Sequence, residues 1–160
     1  MTIGEIYREL KQAEREWPAH FRSAKEFHYL RGLPRDSDFQ ALGLFTVIES
    51  LATHAPDPKD PTDSLTRQVK SKMNLISKRF FRSLDWRDFF PKAPNGDKVW
   101  GALYEYRSKL AHGSEADFRS GRLKVLDSPR WSIEFLKEAA KLLIIQALRE
   151  PQLISDLKSC

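Results

Sequence analysis

Apolar residues recur three and four positions apart along most of this chain, and that spacing constrains its fold more than any other feature. The longest run lies between Trp131 and Leu148, where Ile133, Leu136, Ala140, Leu143, Ile144 and Ala147 build one helical stripe. Ser128 followed by Pro129 is its entrance, since a hydroxyl caps free N–H groups and proline has no N–H to lose in the first turn. Residues 3 to 16 place Ile3, Ile6, Tyr7 and Leu10 at the same spacing, and Pro18 opens a second segment bearing Phe21, Ala24 and Phe27. Ser37 or Asp38 caps a third, in which Phe39, Leu42, Phe45, Val47, Ile48 and Leu51 form a broad apolar surface with Glu49 set inside it. Thr62 is the expected cap of a fourth, carrying Leu65, Val69, Met73, Ile76 and Phe80. A fifth runs from about Asp97 to Ala111 and is terminated by Gly113. Pro151 starts or bends a final short helix with Leu153, Ile154 and Leu157.

Breaks separate these segments at Arg31 to Asp36, Ala55 to Pro61 and Pro94 to Asp97, where Gly and Pro interrupt regular hydrogen bonding. Leu123 to Leu126 is the one stretch that reads as a short strand-like piece. Alternating patterns are otherwise too scarce for a sheet. Each helix has an apolar face that cannot stay in water, so the expected fold is an all-α bundle. A length of 160 residues suits one hydrophobic core and one domain over 1–160.

Composition narrows the class. Ten Phe, four Trp and four Tyr need burial, which argues against a disordered chain. The 27 Lys and Arg against 22 acidic residues give a net charge of +5, which permits attraction to a polyanion without requiring one. Cys160 is the only cysteine, so no intrachain disulfide forms. The segment from Met1 to Ile6 lacks the basic and apolar blocks of a signal peptide, and Leu142 to Ile145 is far short of a membrane span. The cytoplasm is the expected location.

The segment Tyr104-Glu105-Tyr106-Arg107-Ser108-Lys109-Leu110-Ala111-His112-Gly113 carries the chemistry. Arg107 and His112 are five positions apart, about 140° around an ideal helix. A long guanidinium and an imidazole at the helix end can still approach one phosphate from two directions. Arg107 would hold and neutralise a backbone phosphate with its forked donors. His112 would serve as general base on a ribose 2′-hydroxyl or as general acid toward the departing 5′-oxygen. Ser108, four residues before His112 and on its face, would position a phosphate oxygen or the imidazole, and Lys109 would add charge. One histidine cannot be acid and base at once, so a twofold homodimer with two copies of the pair is the economical design.

These residues also resemble a known family. Arg107 and His112 match the pattern of Arg, four to six residues, then His that marks HEPN domains. The stretch from Leu103 to Gly113 is similar to the Apea-like HEPN group, in which Leu-Tyr-x-x-Arg-Ser/Asn-x-x-x-His-Gly is typical. The apolar-Glu pattern from Phe45 to Leu51 and the helix from Leu65 to Phe81 resemble the same group, so the likeness is clearest over residues 38–148. What the resemblance implies is a HEPN-like helical bundle with additional short peripheral helices, often dimeric. It implies a metal-independent endoribonuclease needing no cofactor, acting on RNA in phage defence or a toxin–antitoxin setting, with an antitoxin or other protein as possible partner. Arg107 and His112 are then the catalytic pair. The residue after the arginine is often Asn, Asp or His in nuclease-competent members and is Ser108 here. Some members are inactive binding or regulatory modules, which is the competing expectation.

Other residues have two readings each. Arg107 either faces substrate or pairs with Glu105 or Glu49; Glu49 either fixes Arg107 or faces water beside Ser50. Tyr104 and Tyr106 either stack on unpaired bases or belong to a core or dimer interface. Arg79, Arg82, Arg87, Lys70, Lys72 and Lys78 form either an RNA-facing surface or an ordinary solvated face. Trp17, Trp86, Trp100 and Trp131 are expected to pack, and His20, His28 and His54 to play surface or packing roles.

Overall fold

A computed structural model describes residues 2–160 as seven α-helices joined by turns, with no strand among the described residues. The helices are α1 (Ile3–Glu16), α2 (Pro18–Tyr29), α3 (Asp38–Ala52), α4 (Leu65–Ile76), α5 (Gly96–Ala111), α6 (Pro129–Arg149) and α7 (Pro151–Ser159). Short 3-10 turns lie at Leu30–Gly32, Ser77–Arg79, Trp86–Asp88 and Arg122–Leu126. The chain is thus an all-α bundle with short peripheral helices.

Helix α3 organises the bundle. It packs against α2, α4, α5, α6 and α7. A helix surrounded in this way must be apolar around most of its circumference, and Ala41, Leu44, Phe45, Val47, Ile48, Leu51 and Ala52 are all buried. The long α6 lies against it and buries Ile133, Phe135, Leu136, Ala140, Leu143, Ile144 and Ala147. Helix α5 contributes Val99, Trp100, Ala102, Leu103 and Tyr106 to the same core. An aromatic cluster closes one region, with Phe90 and Trp100 edge-on to Phe135 at 5.3 and 5.5 Å between ring centroids.

Local chemistry sets the helix ends. Ser37, Ser64, Asn95 and Ser128 each accept a backbone N–H from their own first turn. Pro18, Pro129 and Pro151 occupy first-turn positions, where a missing donor costs nothing. Thr62 is not the cap of α4, because its hydroxyl and backbone N–H both donate to Asp60, and that turn delays the helix until Ser64.

Four further expectations need correction. The strand-like stretch is the 3-10 turn Arg122–Leu126: Leu123 and Leu126, three apart, are both buried, and a three-residue turn aims them together where a strand would not. Phe39 is exposed at 75% because the inward arc at that turn of α3 is taken by Gln40 and Ala41. Trp131 is 45% exposed at the start of α6, and the N-terminal stripe leaves Ile3 and Tyr7 in solvent, with Ala13 the buried residue of α1. None of the described helices is long and apolar enough to cross a membrane.

Candidate functional site

Glu49 is the acidic residue on an otherwise apolar turn of α3, and packing from five neighbouring helices leaves its side chain only 15% exposed. A carboxylate in that position needs a cation, because desolvation without a partner costs several kcal/mol or more. Arg107 of α5 provides it across 58 positions of sequence: Nη2 donates to Glu49 Oε2 at 3.0 Å, and Nε lies 2.7 Å from Oε1. Oε1 is sealed from solvent and accepts no directed hydrogen bond, so its contact with Nε is an ion contact off the N–H axis. Arg107 keeps 31% of its side chain in solvent. Glu105 plays no part in this pair; it faces Arg122, with 3.5 Å between Oε2 and Nε.

Tyr104 completes the cluster from one turn earlier on α5. Its ring meets Phe45 edge-on at 5.5 Å, and its hydroxyl is buried without a hydrogen-bond partner. Burial pushes this phenol well above its ordinary range, and the nearby Glu49 charge adds to the shift. The hydroxyl therefore stays protonated, a donor held beside a carboxylate but outside hydrogen-bond geometry.

His112 stands at the other limit of exposure. It is the C-cap of α5, and the chain leaves the helix through Gly113 at φ 64°, a left-handed conformation that favours glycine. Gly113 N–H donates to Leu110 O at 3.2 Å and Ser114 N–H to Lys109 O at 2.8 Å, the paired bonds of a Schellman ending. This is the termination expected from the sequence. The His112 side chain is exposed, and no described residue hydrogen-bonds or ion-pairs with it. Ser108, four residues earlier, is exposed on the same face, and Lys109 is half-buried. The fold thus brings Glu49, Arg107 and Tyr104 into one partly buried cluster and leaves Ser108 and His112 in solvent at the end of the same helix. No hydrogen bond joins the two groups.

Several readings resolve against an RNA-contacting role. Tyr104 and Tyr106 are 6% and 1% exposed, so neither ring is free to stack on a base. Tyr106 packs on Phe118 at 5.1 Å, and burial, with Asp38 adding, raises its phenol to about 12. The basic face of the middle of the chain is largely spoken for. Arg79 pairs with Glu150, Arg82 with Glu138, and Arg87 with Asp85 while lying over the Trp86 ring. Lys72 is buried at 4% exposure and donates to the Lys158 carbonyl at 2.9 Å, tying α4 to the end of α7. Its sequence position signals this: Lys72 falls on the same helical arc as Val69, Met73 and Ile76.

The other histidines pack or face solvent. His20 is 6% exposed and stacked on Trp17, with Nδ1 unpartnered; His28 is exposed; His54 lies against Lys158 O and Asp63. Among the described residues, no three His, Cys, Asp or Glu side chains stand close enough to share a metal ion. Compared with protein-family models, curated proteins and solved structures, the chain matches none of them.

Proposed function

We propose that this chain is a metal-independent endoribonuclease of the HEPN type, working as a twofold homodimer on RNA in phage defence or a toxin–antitoxin setting. One observation carries the reading: α5 ends with an arginine braced by a carboxylate behind it and an unencumbered, solvent-facing histidine at its cap. Arg107 orients toward solvent through Glu49 and receives a backbone phosphate on the donors left over. His112 moves the proton, as base toward the 2′-hydroxyl in one subunit and as acid toward the 5′-oxygen in the other. The bond formed joins the 2′-oxygen to phosphorus, the bond broken releases the 5′-oxygen, and a 2′,3′-cyclic phosphate remains. Ser108, exposed on the histidine's face, holds a phosphate oxygen or the imidazole, and Lys109 adds charge. Tyr104 and Glu49 act behind Arg107 as positioning residues.

The test is RNA cleavage in EDTA, with product ends analysed. Cyclic phosphate ends that vanish in both R107A and H112A are expected. Cleavage that persists in H112A overturns the mechanism.

A second reading rests on the same ion pair. Glu49 takes up two of the Arg107 nitrogens and offsets its charge, which suits a helix-locking role in a catalytically inactive binding or regulatory module. That reading expects no cleavage at any pH and unchanged partner or RNA binding in H112A.

A further inference from the structure

The connection between α2 and α3 is short, carries two arginines, and is pinned at both ends. Gln40, only 4% exposed, donates from Nε2 to Leu30 O at 3.2 Å and accepts the Asp36 N–H on Oε1 at 3.3 Å. Leu30 is seated directly on Gly43, where any Cβ would collide with its methyl groups. Asp36 sits at φ 58°, a left-handed conformation that the hydrogen bond to Gln40 stabilises.

The braced segment borders a cleft of about 520 Å³ between α2, α3 and α6, a size suited to a small molecule. Phe27, Leu30 and Leu44 give it an apolar wall, and Arg31, Arg35 and Lys141 line its mouth. Among the described residues, none of these three cations has a carboxylate within ion-pair distance. The two acids that line the same cleft are already engaged, Glu134 with Lys137 at 2.8 Å and Glu138 with Arg82. Within this lining every carboxylate is therefore spent on another cation, and Arg31, Arg35 and Lys141 stay free beside the apolar wall.

We propose that this cleft is a binding site for a small phosphomonoester with a compact apolar body. Two guanidinium forks match the oxygen spacing of a phosphate, and three positive charges suit its double negative charge better than the single charge of a carboxylate. The apolar wall takes the organic part, which inorganic phosphate lacks. The hydrogen bonds made by Gln40 fix the backbone that carries Arg31 and Arg35, which lowers the backbone share of the ordering cost of binding. None of Glu49, Tyr104, Arg107 and His112 lines the cleft, so the proposal stands apart from the ribonuclease reading.

Titration calorimetry of the full chain at low salt, with phenyl phosphate, benzoate, inorganic phosphate and phenol as probes, tests it. Phenyl phosphate is expected to bind about tenfold more tightly than benzoate or inorganic phosphate, and phenol not measurably. R31A and R35A should each weaken phenyl phosphate about tenfold. All three cationic residues at the mouth are exposed, so these variants fold. Lys70, which lines a different cleft, serves as a charge control, and K70A should bind as the wild type does. Equal binding of inorganic phosphate and phenyl phosphate would overturn the site, as would an affinity that K70A lowers as much as R31A does.

Discussion

Removing either partner of the Glu49–Arg107 pair should destabilise the fold unequally, because the two side chains are unequally buried. Glu49 is 15% exposed with one oxygen sealed from solvent, whereas Arg107 is 31% exposed. Exposed ion pairs contribute roughly 0.2–1 kcal/mol, and breaking a buried pair costs roughly 3–5 kcal/mol. In E49A the guanidinium is already one-third in water and can turn outward, so the loss should be about 1 kcal/mol. In R107A the carboxylate is left beside Tyr104 and Phe45 without its cation, and the loss should be about 2–3 kcal/mol. The double variant strands no charge and should be no less stable than R107A alone, a coupling within the range known for contacting residues. Urea unfolding of the four proteins at pH 7, followed by far-ultraviolet circular dichroism, gives the cycle by linear extrapolation. A loss in E49A equal to or larger than that in R107A, or a double variant as unstable as the sum of the singles, would refute the burial argument. The result also bears on function, since activity lost in R107A can then be separated from stability lost in R107A.

Three further expectations follow from the geometry. His112 is exposed and unpartnered, so H112A should change unfolding stability by less than about 0.5 kcal/mol, and a thermal melt that drops markedly would show the imidazole to be structural. Gly113 has open space where a Cβ would stand but a φ of 64°, so G113A should lose about 1 kcal/mol from backbone strain alone, read as a shift in urea midpoint with unchanged slope. His20 is held below its ordinary value of 6.5 by burial first and by the Lys158 charge second. The unfolded chain therefore binds a proton that the folded chain resists as pH falls below that value, and stability should decline there. Above it, His20 is neutral in both states and contributes no slope. The urea midpoint between pH 7.5 and 5 should fall less in H20N than in wild type, and parallel pH curves would contradict the assignment.

Helix identity was legible because it depends on neighbours in sequence. The three- and four-residue spacing of apolar side chains, a cap at Ser37 or Asp38 and at Ser128, and Pro in the first turn act through bonds a few residues long, and they located α3, α5, α6 and α7 closely. Gly113 announced the end of α5 for the same reason, since a left-handed residue is a local demand. Burial was less legible. Phe39 and Trp131 satisfy a helical stripe yet face solvent, because which side of a helix is covered depends on helices far away in the chain. The candidate site divides along that line. Arg107, Ser108 and His112 share one helix and could be placed around it from their spacing alone. The choice of Glu49 over Glu105 as the partner of Arg107 was made by the packing of α3 against α5, because only tertiary contacts dry a carboxylate enough to require a specific cation.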